Sequence, residues 1–304
     1  MKSSSNAKSF LLIFLLFWLL FVSLFLILYP LLLNYLPNED ENIDYPVFER
    51  RKDRKHDRIL DDSHCLCVIV PYRDRWDQLT VFVPYMNEFL REQGIRSYIY
   101  MVNQMDRYRF NRGALLNTGF LYSHPSCDYM ALHDIDLLPN RVNLRYKYPP
   151  EAGPVHVTAP KYHPFYDFPD YFGGIVLIRR EHFQKVNGFS NKFWGWGLED
   201  DEFRMRIVDG GLNITVPSFP ESHKMNSFVH ISPEGAAKSI RDSKDWMNDM
   251  RRKRDRVGGY RSLKFKSLPR VHKLTVDSYP FVQLDVQFQC NVTLTPWCMS
   301  EAYL

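Results

Sequence analysis

The sequence predicts an α/β domain, a parallel-centred mixed sheet flanked by helices, preceded by a single transmembrane helix. Three observations predict it. An almost wholly apolar run fills positions 10–33, short apolar strands alternate with helix-period segments between 67 and 133, and paired acids stand directly after the third strand. The chain has 304 residues, of which roughly 240 remain for one compact domain once the N-terminal segment is set aside.

Run 10–33 is broken only by Ser23 and Pro30 and is long enough to cross a bilayer as a helix. It ends in Leu33-Asn-Tyr-Leu36 without a small-residue cleavage site, so it reads as an uncleaved signal anchor. Lys2 and Lys8 precede it and Glu39, Asp40, Glu41 and Asp44 follow, which holds the N-terminus in the cytoplasm and sends the rest to the lumen. The organisation expected is a cytoplasmic tail at 1–9, the anchor at 10–33, a polar luminal stem at 34–62 and one domain at 63–304. The net charge is only +4, with basic residues gathered at 50–58 and 251–256. Both runs read as solvated flexible segments, and nucleic acid is excluded as a partner.

Five cysteines suit an oxidising compartment, where Cys290 and Cys298 close a short disulfide loop near the C-terminus. Cys65 and Cys67 flank one residue of a strand and do not pair with each other, and Cys127 reads as a buried thiol. No C-x-x-C pair supports a zinc site. The sequons at Asn213 and Asn291 fit glycosylation in the lumen.

The domain opens with Cys67-Val-Ile-Val-Pro-Tyr72, a buried strand. Leu79, Phe82, Val83, Met86, Phe89 and Leu90 then recur at helical spacing, with Pro84 as an expected kink and Gly94 as the C-terminal cap. Positions 97–102 read as the second strand, 111–123 as a helix with Leu115, Thr118, Gly119 and Tyr122 on one face, and 129–133 as the third strand. Further on, 174–178 is strand-like, 180–186 helical, and 200–209 a helix closed by Gly210-Gly211. Such alternation places a nucleotide at the C-terminal ends of the strands.

His133-Asp-Ile-Asp136 emerges at the third strand's C-terminal edge, with Asp134 and Asp136 on one face and Ile135 turned into the core. Two hard oxygen ligands there suit a divalent cation facing a diphosphate; the bland alternative is a turn with capping aspartates. A second constellation, Phe193-Trp-Gly-Trp-Gly-Leu-Glu-Asp-Asp201, crowds two tryptophans, two glycines and three acids before a helix. Trp194 or Trp196 offers a flat face to a sugar, and one carboxylate there suits a general base. Acids preferring a helix N-terminus account for part of this run without function.

Together with Val70-Pro-Tyr-Arg-Asp-Arg75, Phe110-Asn-Arg-Gly113 and Tyr171-Phe-Gly-Gly174, these motifs resemble the β-1,4-galactosyltransferase family in order and spacing from about Cys67 to Cys298. Trp196-Gly-Leu-Glu-Asp-Asp201, Arg252-Lys-Arg-Asp255 and Thr295-Pro-Trp-Cys298 look like the branch of that family that galactosylates xylose. The resemblance implies a Rossmann-like GT-A fold, a Golgi membrane protein of type II topology, Mn2+ as cofactor, UDP-galactose as donor, xylosylated proteoglycan core proteins as acceptors, and inversion at the anomeric carbon. It implies donor contacts from Pro71, Tyr72, Arg73, Arg75, Phe110, Arg112, Asp134, Ile135, Gly174 and Glu199. It makes Asp200 the catalytic base, places Tyr166, Trp196, Leu198, Asp200 and Asp201 around the acceptor, and gives the metal Asp136 and His230.

Two positions depart from the family pattern. A second acceptor-side tyrosine is replaced by Phe168, and a His-x-His metal pair reads His230-Ile-Ser232. Either a water, His223 or Met225 completes the coordination sphere, or the metal is held more weakly. The resemblance also makes 231–252 a mobile lid. Two other readings stand beside the xylose transferase: the same transfer onto N-acetylglucosamine or glucose, which Leu198 disfavours by narrowing the acceptor region, and a non-catalytic luminal sugar-binding protein.

Overall fold

In the computed structural model the described residues are 18, 61–140, 144–217, 227–231 and 254–299. The expected membrane span, apart from Trp18, and the stem up to residue 60 lie outside them, as do 232–252 of the expected lid. Chain contacts divide the molecule into 1–47 and 48–304, and the α/β domain belongs to the second unit.

Strand β1 (Asp61–Tyr72) is the spine of the sheet. Its period-two alternation turns Cys65, Cys67 and Ile69 into one core and Leu66, Val68 and Val70 into the other. It begins earlier than its apolar run, since main-chain pairing of Asp61 with Ile95 needs no apolar side chain. Helix α1 (Trp76–Glu92) lays Leu79, Phe82, Val83, Met86, Phe89 and Leu90 on the second core and continues through Pro84. It is closed by Gly94, at φ +72, whose N–H donates to the Arg91 carbonyl at 3.0 Å.

Strand β2 (Ile95–Gln104) runs parallel to β1. Helix α2 (Arg112–Tyr122) starts where the Asn111 side chain accepts the Ala114 N–H at 2.9 Å. It lies tightly on β1, for a Cβ on Gly119 would stand 2.2 Å from Cγ2 of Ile69. Strand β3 (Tyr129–His133) then pairs parallel with β1 on the side away from β2. The chain thus leaves β1 in both directions, which opens a crevice at the C-terminal ends of β1 and β3.

Strand β4 (Leu137–Pro139) continues from β3 and pairs with β7 (Phe228–His230) in a separate two-stranded ribbon. The main sheet is completed by β5 (Val155–His156), β6 (Ile175–Arg179), β8 (Phe265–Val276) and β9 (Tyr279–Phe288), in the order β5-β6-β3-β1-β2-β9-β8. Its four central strands β3, β1, β2 and β9 are parallel and its flanks antiparallel. Helices α3 (Arg180–Lys185) and α4 (Glu199–Asp209) cover the first core with Phe183, Phe203 and Ile207.

The β8–β9 hairpin lies beyond the elements read from the sequence. It turns on Asp277 and Ser278, both left-handed at φ +49 and +71. Its signal is the alternation of buried Val282, Leu284, Val286 and Phe288.

Cys127 differs from its expectation as a thiol. It is bonded to Cys67 across the β1–β3 pair, with Cα atoms 5.7 Å apart, while buried Cys65 keeps its thiol 3.5 Å from the Cys127 sulfur. Cys290 and Cys298 form the second disulfide.

Candidate active site

The end of β3 delivers its residues alternately inward and outward. His133 is a core histidine, its Nε2 2.9 Å from the Tyr146 hydroxyl, and burial pushes its pKa down to about 4. Ile135 is buried in the second core, so its side chain is turned away from the crevice. Asp134 and Asp136 face outward.

Arg112, at the first turn of α2, ties the site together. Its Nε donates to Oδ1 of Asp134 at 2.8 Å, one terminal nitrogen stands 3.6 Å from Oε1 of Glu199, and the other is 3.5 Å from the Gly174 carbonyl. Burial disfavours its charge, but Asp134 and Glu199 outweigh it and hold the guanidinium pKa above its ordinary value. Burial raises the Asp134 carboxyl against the opposing pull of Arg112. The guanidinium expected on the phosphate side is therefore committed to protein carboxylates.

The β4–β7 ribbon sets a second pair. Leu137 is in register with His230, and Ile231 donates its N–H to the Asp136 carbonyl at 2.7 Å. This brings His230 Nε2 to 3.5 Å from Asp136 Oδ2. Burial would raise the Asp136 carboxyl, but the His230 hydrogen bond and charge, joined by Arg75, hold it below the usual carboxylate range. A carboxylate and an imidazole converging at this spacing fit a divalent ion between them. Among the described residues no third His, Cys, Asp or Glu completes a metal cluster; Ser232, His223 and Met225 lie outside those residues.

The aromatic-acidic segment separates into two parts. Trp194 is buried, with its ring centroid 5.9 Å from that of Tyr108 and 6.2 Å from that of Phe288, so it belongs to the core. Trp196 is 36% exposed and is the tryptophan left to meet a sugar. Gly195, Gly197 and Leu198 all have positive φ, at +98, +108 and +70, and together they fold the chain sharply into α4. Leu198 is buried and forms the N-cap of α4, its carbonyl accepting the Glu202 N–H at 3.0 Å.

Glu199, Asp200 and Asp201 occupy the first turn of α4, where the helix dipole favours negative charge. Burial, followed by the charge of Asp200, pushes Glu199 up to about 8. Burial and then Asp201 raise Asp200, whose Oδ1 accepts the Asp201 N–H at 2.9 Å. A Cβ on Gly173 would meet both Asp200 Oδ2 and the Tyr171 hydroxyl at 2.9 Å, so a glycine is what allows these two groups to approach.

Of the residues expected to contact a donor, Pro71 and Tyr72 end β1, and Arg75 is the N-cap of α1. Arg73 lies over the Phe110 ring at 5.2 Å and donates to the Tyr108 carbonyl at 2.7 Å. Tyr166, expected near an acceptor, packs on Tyr171 with ring centroids 5.0 Å apart, beside Phe168. In the sequence Tyr171 stands out only as a motif marker, and His163 and Phe165 belong to no motif. His163 Nδ1 accepts the N–H groups of Phe165 and Tyr166, each at 3.0 Å, and the Phe165 ring meets His230 edge-on at 4.7 Å. Asn213 and Asn291 are exposed.

Two family models match the chain: the N-terminal region of glycosyl transferase group 7 over residues 60–148 and the N-terminal domain of galactosyltransferase over 153–231. The chain is 45% identical over 237 residues to β-1,4-galactosyltransferase 7 of Drosophila melanogaster, covering 77% of this chain and 73% of that one. It is 39% identical to the xylosylprotein 4-β-galactosyltransferase of Caenorhabditis elegans, covering 78% and 83% respectively. A mutant of the Drosophila enzyme, solved in complex with manganese, UDP-Gal and xylobiose, superposes with a TM-score of 0.73 at 44% identity, over 78% of this chain and 100% of that one. The fold is accordingly GT-A-like.

Proposed function

The chain belongs to the β-1,4-galactosyltransferase family, and we propose that it moves galactose from UDP-galactose to the 4-hydroxyl of xylose on proteoglycan core proteins. One observation carries the reading: Arg112 joins the outward acid of β3, Asp134, to Glu199 at the start of α4, so a metal-suited pair and a buried carboxylate run share one crevice. The relative solved with manganese, UDP-Gal and xylobiose supports it.

Asp136 and His230 are the residues that would hold Mn2+, which when bound neutralises charge on the diphosphate leaving group. Asp200 accepts the proton of the xylose 4-hydroxyl as that oxygen attacks the anomeric carbon. The bond to UDP breaks with its electron pair on the diphosphate, and attack from the opposite face inverts the configuration. Burial raises the basicity of Asp200, while Glu199, near 8, stays protonated at neutral pH and spares Asp200 a second adjacent charge. Trp196 and Tyr166 supply the apolar faces for the acceptor, and Asp201 holds its hydroxyls.

The apolar run at 10–33 and the flanking charges support a type II anchor, and the two sequons support a luminal catalytic domain. Residence in the Golgi membrane follows from the proposed reaction.

The test is transfer by the full chain in detergent, with UDP-galactose, Mn2+ titrated from zero, and a β-xyloside, a β-glucoside or an N-acetylglucosaminide as acceptor. Metal-dependent transfer to the xyloside is expected. Transfer only to another acceptor overturns the xylose assignment, and donor hydrolysis without any transfer overturns the transferase reading.

A further inference from the structure

Helix α4 carries the acids in its first turn, yet its N-cap, Leu198, makes no side-chain capping bond. What holds the helix lies further along. Phe203 and Ile207 are buried in the core, but apolar burial is non-directional and does not by itself fix how far a helix is turned or slid.

Direction comes from charged groups on the same helix. Arg206 Nε donates to Glu202 Oε1, one turn back, at 3.2 Å. Its two terminal nitrogens donate to the carbonyls of Gly188, Gly258 and Asp255, at 3.0, 2.7 and 2.5 Å. Arg254 returns the contact to α4: its Nε donates to the other Glu202 oxygen at 3.2 Å and its Nη1 to Asp209 at 2.6 Å. Asp255 is 3% exposed and accepts from Ser190 Oγ at 2.6 Å and the Gly258 N–H at 2.9 Å, with Lys192 Nζ 3.2 Å away. Arg254 and Asp255 thus depart from the solvated segment expected at 251–256, because α4 provides buried partners no local pattern reveals.

Charges buried to this degree are costly unless every donor and acceptor is matched, and they contribute little net stability over an apolar replacement. Their directional bonds instead restrict geometry. We propose that this clasp of Glu202, Arg206, Arg254 and Asp255 is a positioning device for the transfer step: it sets the rotation and depth of α4 and so places Asp200 and Asp201 against the acceptor. The inference rests on the galactosyltransferase reading.

The test compares Arg254→Gln and Asp255→Asn with wild type, as full-length proteins, in two assays at one Mn2+ concentration: galactose transfer to a β-xyloside, and hydrolysis of UDP-galactose without acceptor. Misplacing α4 by a fraction of an ångström is expected to lower kcat for transfer on the order of 10- to 100-fold. Donor hydrolysis, which needs no acceptor geometry, stays close to wild type. Equal losses in both assays, accompanied by a lower Tm, would show a merely structural clasp, and unchanged transfer in folded Arg254→Gln would show an idle one. Should Asp255→Asn fail to fold, Arg254→Gln, which leaves the buried Asp255 network intact, decides alone. Wild-type transfer in the same assay separates failure of the clasp from failure of the acceptor assignment.

Discussion

Arg112 Nε lies 2.8 Å from Asp134 Oδ1, although one residue opens helix α2 and the other directly follows strand β3. The same guanidinium reaches Glu199 on α4. The first turn of α2, the end of β3 and the first turn of α4 are therefore coupled through one side chain, and Arg112→Met removes the counter-charge of Asp134 together with the partner of Glu199. The expected loss is about 3 kcal/mol of stability, measured by urea unfolding, together with loss of transfer. A variant of unchanged stability would contradict the strut.

Gly173→Ala places a methyl group 2.8 Å from Tyr171 Cε2 and 2.9 Å from Asp200 Oδ2 and the Tyr171 hydroxyl. The Asp200 carboxylate is a side-chain end that can yield and the Tyr171 ring must shift with it, so the change displaces Asp200. Transfer is expected to fall roughly 100-fold with little change in Tm. Gly119→Ala gives the reverse pattern: its Cβ strikes Ile69 beneath α2, so stability falls by about 1 to 3 kcal/mol.

Much of this was legible in the sequence, for physical reasons. Buried parallel strands must be apolar runs, and α1 must repeat its apolar residues at helical spacing, so β1, α1, β2, α2 and β3 stood out. The β8–β9 hairpin is harder to read from the sequence, because its turn is Asp277-Ser278 without glycine and its outer strand carries Lys266, Arg270 and Lys273 among few buried residues. Trp194 and Trp196 look alike in sequence, and only the positive-φ glycine between them sends one inward and the other outward. The partners of Arg112, Arg254 and Cys127 come from distant elements, and no local pattern announces them.

Glu199 is held near 8, above its ordinary value of 4.5, by burial and by Asp200, against the pull of Arg112. Asp134 adds to the upward push. Between those values the folded chain keeps a proton that the unfolded chain has lost, so this group's contribution to stability is complete at lower pH and is lost as pH rises towards 8. The slope approaches about 1.4 kcal/mol per pH unit as an upper bound. Glu199→Gln removes it, so the Tm of the variant should gain on wild type from pH 5 to pH 8. Parallel profiles would show that Glu199 is ionised throughout.

The Cys67–Cys127 bond closes a 60-residue separation. Cys127→Ser should cost roughly 2 to 4 kcal/mol without changing the ratio of transfer to donor hydrolysis, because the bond joins the middle of β1 to the segment just before β3, away from the C-terminal ends of both strands. Peptide mapping without reduction should recover Cys67 joined to Cys127. Recovery of Cys65 joined to Cys127 would overturn the pairing.

The central claim is that Asp200 accepts the proton of the xylose 4-hydroxyl, and the most direct measurement is the kinetic comparison of wild type with Asp200→Asn at saturating UDP-galactose and Mn2+. The variant is expected to fold, to bind UDP-galactose with Mn2+, and to lose transfer to a β-xyloside by at least about 100-fold, in the range of general-base catalysis. Transfer by Asp200→Asn within a few-fold of wild type would contradict the claim and move the base to another residue of the crevice.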